Sequence, residues 1–112
     1  MVLVDNDAGA LELIEMDLSL EGHEIVGTAM QGAEAIDVVE ASSPDAVVLD
    51  YRMPPGLNGV EVAKRMRKRW PDLRVLLYSN YNQPEIVRQT EALGAVFVRK
   101  GDLVALRRAV LG

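Results

Sequence analysis

The 112-residue chain contains no cysteine, which excludes disulfides and thiolate-based zinc sites and leaves a reducing cytoplasm open as its compartment. It also lacks any apolar run near the ~20 residues that a membrane-spanning helix requires. Its start, Met1-Val2-Leu3-Val4, passes straight into Asp5 without the basic segment of an export signal. The expectation is a cytoplasmic chain with no membrane partner. Positive charge is in deficit: the net charge of −5 provides no general field for a polyanion. One basic run, Lys64-Arg65-Met66-Arg67-Lys68-Arg69, falls in the last turns of an expected helix, where cations complement the negative end of the dipole and face solvent. Direct nucleic-acid binding is therefore not expected. Repeats, low-complexity tracts and linkers are missing too, and the sequence closes on a fifth helical segment. Residues 1–112 are thus expected to form one domain, with no effector domain among them. The single histidine, His23, lies in a turn and is expected to be exposed.

What the chain does have is 49% hydrophobic residues, enough for one core, arranged in short β-branched runs that alternate with segments of helical period. That alternation is expected when helices cover both faces of a parallel sheet. The predicted strands are Val2 to Val4, Ile25 to Thr28, Ala46 to Leu49, Val75 to Tyr78 and Val96 to Val98, short and largely apolar as buried parallel strands are. Each is followed by a turn and a helix, giving an α/β chain of five β-α repeats. Leu11, Ile14 and Leu18 share one face of the first helix, and Ala35, Ile36 and Val39 one face of the second. Val62, Ala63, Met66 and Trp70 form the stripe of the third, which Pro71 ends by forcing the preceding residue out of the α region. Ile86, Thr90 and Leu93 mark the fourth, closed by Gly94. Leu103, Leu106 and Val110 mark the fifth, with Asp102 as its N-cap.

In open α/β sheets, ligands gather outside the carboxyl ends of the strands, near the point where strand order reverses. The residues that follow the strands therefore matter most. Asp5-Asn6-Asp7 follows the first, Asp50 the third and Ser79-Asn80 the fourth, while Phe97-Val98-Arg99 leads from the fifth into Lys100. An acid directly after Val47-Val48-Leu49 is hard to explain as packing, because a buried unpaired carboxylate is strongly disfavoured. Two carboxylates about 4 Å apart repel by roughly 4 kcal/mol at an effective dielectric near 20, so Asp5 and Asp50 together call for a cation. Oxygen ligands without His or Cys favour Mg²⁺. Lys100 adds a point charge able to pair with Asp50 and then with a phosphoryl oxygen, and the Ser79 hydroxyl can donate to another.

With Val-Asp-Asn-Asp at 4 to 7, Leu-Asp-Tyr-Arg-Met-Pro-Pro-Gly-Leu-Asn-Gly at 49 to 59, and Ser79 and Lys100 after the last two strands, the chain resembles a response-regulator receiver domain along nearly its whole length. That resemblance implies a flavodoxin-like doubly wound fold of five parallel strands in order 2-1-3-4-5, with helices on both faces. It implies a phosphorylation-dependent switch of two-component signalling, not an enzyme beyond its own phosphorylation and dephosphorylation. Asp50 would accept the phosphoryl group from a histidine kinase or phosphotransfer protein. Asp5, Asn6, Asp50 and the backbone carbonyl of Arg52 would surround Mg²⁺. Lys100 would contact the phosphoryl group, Ser79 would be the switch hydroxyl, and Phe97 the aromatic that changes rotamer with it. The changed surface, and a homodimer through it, would comprise the fourth helix, fifth strand and fifth helix.

The chain departs from that family in four places. Asn6 stands where a second acid is usual, replacing a charge with a neutral oxygen in the metal shell. The loop after Met53-Pro54 is one residue longer, and the stretch from Gly94 to Lys100 one shorter. Arg52 and Tyr81 put bulk two residues beyond Asp50 and Ser79, at positions that influence phosphoryl lifetime in the family, and imply restricted water access. Two other readings follow from the same residues. Asn6 keeps open a degenerate receiver that binds partners without being phosphorylated. Asp5-Asn6-Asp7 also has the spacing of nucleophile and acid/base in a haloacid-dehalogenase-like phosphatase.

Overall fold

The computed structural model describes all residues from Met1 to Gly112, and its elements follow from how apolar side chains alternate along the strands. Strands β1 (Val2–Val4), β2 (Gly27–Ala29), β3 (Ala46–Leu49), β4 (Arg74–Ser79) and β5 (Val96–Arg99) alternate with helices α1 (Ala8–Leu20), α2 (Gly32–Ser42), α3 (Gly59–Arg69), α4 (Pro84–Ala92) and α5 (Leu103–Leu111). All pairings are parallel, in order β2-β1-β3-β4-β5. Successive side chains of a strand point to opposite faces, so the sheet supplies two cores. Val2, Val4, Val47, Leu49, Val75 and Leu77 meet Ala35 and Val39 of α2, Val62, Ala63 and Met66 of α3, and Ile86 of α4. Leu3, Ala46, Val48, Leu76 and Tyr78 meet Leu11, Ile14 and Leu18 of α1, and Leu106 and Val110 of α5. Strand order reverses beside β1, which places the crevice between the carboxyl ends of β1 and β3.

Some expected boundaries move. The second strand is Gly27–Ala29, not Ile25 to Thr28. Its extent is set by pairing with β1, where Val2 faces Gly27 and Val4 faces Ala29, while β-branched Ile25 and Val26 have strand propensity but lie before the ladder. Ile25 instead packs beneath the α1 and α5 core. At Gly27 an added Cβ would lie 2.5 Å from Cγ1 of Val38, so the approach of α2 selects glycine over a β-former. The fourth strand is one residue longer at each end than expected, and the fifth runs on to Arg99. Trp70 is the C-cap of α3 and packs against the same core as Val62, Ala63 and Met66, with the Arg69 guanidinium 4.7 Å from its ring centre. His23 is half-buried, not exposed, because it lies in a cavity of about 590 Å³ at the amino edge of the sheet.

Candidate functional site

The carboxyl ends of β1, β3, β4 and β5 bring Asp5, Asp50, Ser79 and Lys100 to one rim. Asp5, Asp50 and Ser79 are buried. Lys100 Nζ lies 2.6 Å from Asp5 Oδ2 and 3.0 Å from Asp50 Oδ2. The other oxygens of both acids face backbone amides: Asp5 Oδ1 accepts from Asp7 N at 2.9 Å, and Asp50 Oδ1 from Tyr51 N at 2.7 Å. Each carboxylate is thus oriented by its own turn, so that its second oxygen converges on one cation. Burial raises the pKa of Asp5 above the usual carboxylate value, with the Asp50 charge adding to that, although the Lys100 and Asp7 hydrogen bonds act against it. Burial alone would lower that of Lys100, but its bonds to Asp5 and Asp50 leave it raised. Lys100 therefore holds its proton.

The expected pairing of Lys100 was with Asp50; its shorter contact is with Asp5, which no local motif signals because the three residues come from three different strands. Ser79 Oγ accepts from Tyr81 N at 3.1 Å, which leaves its hydroxyl proton free to donate. The Lys100 amide donates to the Ser79 carbonyl at 3.0 Å. A residue that sequence reasoning passed over, Tyr78, fixes this loop: its hydroxyl accepts from Gly101 N at 2.8 Å. A buried tyrosine at a strand end needs such a partner, and that was the available signal.

The Asn-Gly pair at 58 and 59 has a positional cause. Asn58 caps α3 by accepting from Glu61 N at 2.9 Å, while Glu61 accepts from Asn58 N at 3.0 Å, a reciprocal capping box. A Cβ on Gly59 would collide with the Asp50 carbonyl oxygen and approach Tyr51 Cα at 2.9 Å. Only glycine lets α3 start against the acceptor strand, where its amide donates to the Tyr51 carbonyl at 2.6 Å.

Across the mouth, the Arg52 guanidinium donates to Tyr81 Oη at 3.0 Å, and the rings of Tyr51 and Tyr81 lie 5.7 Å apart. Asn6 is exposed at the rim, and Phe97 is half-buried in β5, packed against the α2–α4 core. Asp7 is the N-cap of α1, its Oδ1 accepting from the amides of Gly9 and Ala10, a structural role that accounts for the acid without the phosphatase reading.

The family described as the response regulator receiver domain matches residues 1–110. The chain belongs to that family. It is 30% identical to sporulation initiation phosphotransferase F of Bacillus subtilis across 98% of this chain and 89% of that protein. It is 44% identical to the transcriptional regulatory protein NarL of Mycobacterium tuberculosis across 70% of this chain and 36% of that protein, so it spans about a third of NarL. The solved signal receiver domain of NarL superposes with a TM-score of 0.85 at 36% identity, covering 96% of this chain and 93% of that one. CheY of Borrelia burgdorferi, solved in a complex with CheX, beryllofluoride and magnesium, shares the fold with a TM-score of 0.91 at 24% identity, over 98% and 84%. This chain is accordingly a receiver domain of a two-component response regulator, a signalling fold.

Proposed function

We propose that residues 1–112 act as one phosphorylation switch in which Asp50 accepts a phosphoryl group from a histidine kinase or phosphotransfer protein. The observation that carries this is the convergence of Asp5 Oδ2 and Asp50 Oδ2 on Lys100 Nζ beside the Ser79 hydroxyl. A carboxylate oxygen of Asp50 attacks phosphorus, the bond from phosphorus to the donor breaks, and the donor departs with that electron pair. Little covalent help is needed, because phosphoryl transfer is catalysed mainly by positioning and charge neutralisation. Lys100 pairs with one phosphoryl oxygen, and Ser79 donates to another.

The donor set also suits a hard divalent cation: two carboxylates with oxygens aimed at one point, an amide oxygen available from Asn6, and an Arg52 carbonyl that accepts no hydrogen bond within the chain. Asp5, Asn6, Asp50 and that carbonyl would hold Mg²⁺, which when bound neutralises phosphoryl charge. Once Ser79 donates, the segment from Ser79 to Tyr81 is drawn toward Asp50, and the change passes to Phe97 and the surface of α4, β5 and α5. The relatives named as transcriptional regulators make transcriptional control the natural output.

Intact-mass analysis after treatment with acetyl phosphate and Mg²⁺ tests this reading. One phosphoryl adduct is expected, absent from Asp50→Asn. Equal adduct in that variant refutes the acceptor assignment, and no adduct in the native chain identifies a binding module that is not phosphorylated.

A further inference from the structure

β5 is an edge strand, paired only with β4, and Lys100 follows its last residue. Directly after the lysine comes Gly101, whose φ of +97° lies in the left-handed region and where an added Cβ would meet nothing within 4 Å. A glycine in open space is the most permissive backbone a chain can have, so local sequence leaves the base of the lysine free to wander. Yet Nζ, at the far end of a four-carbon stem, stands 2.6 Å from one carboxylate and 3.0 Å from another. The point from which that stem starts must be fixed from elsewhere.

Strand β4 fixes it with two consecutive residues. The Ser79 carbonyl accepts from the amide of Lys100 at 3.0 Å, and the Tyr78 hydroxyl accepts from the amide of Gly101 at 2.8 Å. The two bonds grip the peptide units on either side of the Lys100 α-carbon. Only the second is made by a side chain, so only the second depends on which residue stands there in β4. The other backbone bonds of the turn, Asp102 N to the Arg99 carbonyl and Leu103 N to the Gly101 carbonyl, shape the turn without placing it against the sheet. The tyrosine itself has little freedom: it is buried in the same core as Leu76, Val98 and Leu106, and a ring seated at a fixed depth presents its hydroxyl at a fixed height.

We infer that Tyr78 is a positioning residue for phosphoryl transfer: its hydroxyl, through the Gly101 amide, places Lys100 where the ammonium reaches both Asp50 and the incoming phosphoryl oxygen. This rests on the reading of Asp50 as the acceptor. The tie acts on the lysine and not on the acids, because Asp5 and Asp50 are oriented by the amides of Asp7 and Tyr51. Loss of the Tyr78 hydroxyl therefore slows transfer without weakening the oxygen set for a divalent cation.

The test compares the native chain with Tyr78→Phe, which keeps the ring and removes the acceptor, and with Val110→Ala, a truncation in the same core beside the amino edge of the sheet. Phosphorylation by acetyl phosphate with Mg²⁺, followed by intact mass, should slow about tenfold in Tyr78→Phe, since small displacements of a reacting group cost that much or more. Mg²⁺ affinity by calorimetry should not weaken. Val110→Ala should lower the urea midpoint through the cavity it leaves and keep the native rate. Acylation of Lys100 by a soluble active ester, scored by peptide mass against the exposed Lys64 and Lys68, should rise several-fold in Tyr78→Phe and stay unchanged in Val110→Ala; this reads the lysine without phosphoryl chemistry. Gly101→Ala, at a φ that suits only glycine, loosens the same tie from its other end and should reproduce the pattern should Tyr78→Phe fail to fold. An adduct missing from the native chain refutes the acceptor reading and the role in transfer with it. A native rate in Tyr78→Phe, equal slowing in Val110→Ala, or unchanged acylation of Lys100 overturns the tie itself.

Discussion

Two clusters in this molecule have the same composition, two acids and one base, and opposite physical characters. At the rim, Lys100 sits between Asp5 and Asp50, and both acids are buried. On the flank, Arg107 of α5 pairs with Asp17 and Glu21 of α1, nearer solvent. Burial is the largest influence on Asp5, and its pKa rises despite the lysine; the Arg107 hydrogen bond is the largest on Asp17, and its pKa falls. In water the charged state is already well solvated, so a partner only adds to it. In the rim, solvation has been removed and one base cannot fully replace it for two acids. The flank cluster is a fastening. The rim cluster is short of positive charge, which is the ground for proposing cation binding and phosphoryl chemistry there.

The largest expected effect comes from removing the shared base. Lys100→Met leaves two buried acids facing each other, and breaking a buried pair in this way costs about 3 kcal/mol or more because a charge is left uncompensated. The variant should unfold at markedly lower urea and take up no phosphoryl group from acetyl phosphate. Arg107→Met should shift the urea midpoint less, because Arg107 and Glu21 are open enough to solvent for their charges to be screened. Equal losses in the two variants would erase the distinction between the clusters.

Next in size is a pair of substitutions with opposite signs. Asp50→Asn removes one of two repelling charges while Lys100 keeps its contact with Asp5, so the Mg²⁺-free protein should gain stability, because the Asp50 charge is one of the influences that raise the Asp5 pKa. Asp17→Asn removes the better-placed partner of Arg107 and should lose a little stability. Chemical denaturation in the presence of a chelator measures both, and a loss in Asp50→Asn would show that the rim is balanced as it stands.

The rim was legible in the sequence because an acid, a hydroxyl residue and a lysine at strand ends have few packing explanations. The stripes of Leu11, Ile14 and Leu18 or Val62, Ala63 and Met66 were legible for the related reason that periodicity records burial, whereas the strand order was legible only through the family resemblance. The start of β2 was not, since pairing with β1 fixes it and Ile25 and Val26 carry the stronger local propensity. The Asp5–Lys100 contact joins residues 95 positions apart, and the bridge from Arg52 to Tyr81 joins two loops; neither leaves a local pattern.

A smaller effect follows from adding an acid to the rim. Asn6 is exposed, so the charge of Asn6→Asp is partly screened, and the Mg²⁺-free protein should lose less than about 1 kcal/mol. A further unit charge ~4 Å from a divalent ion is worth 1–2 kcal/mol even at the dielectric of water, so Mg²⁺ affinity by calorimetry should rise roughly tenfold. Trp70, at the far end of α3, is a poor reporter for that titration. Unchanged affinity would mean that position 6 does not face the cation.

The smallest effect is the pH dependence of the flank. The Asp17 pKa is lowered from 3.8 by Arg107, so the folded protein holds this carboxylate ionised more readily than the unfolded chain does. The linked stability is fully present above the unfolded value and is lost as pH falls through the lower folded value. Between neutral pH and about pH 5 the difference in stability between the native chain and Asp17→Asn should therefore stay constant, and it should shrink toward zero as pH drops below 3.8. Because the pair lies near solvent, added salt should reduce the same difference at neutral pH. Urea midpoints of the two proteins across that range, at low and high salt, read the quantity directly. A difference that grows on acidification would reverse the sign assigned to Asp17, and one indifferent to salt would place the Asp17–Arg107 pair in the same solvent-excluded regime as Asp5 and Lys100.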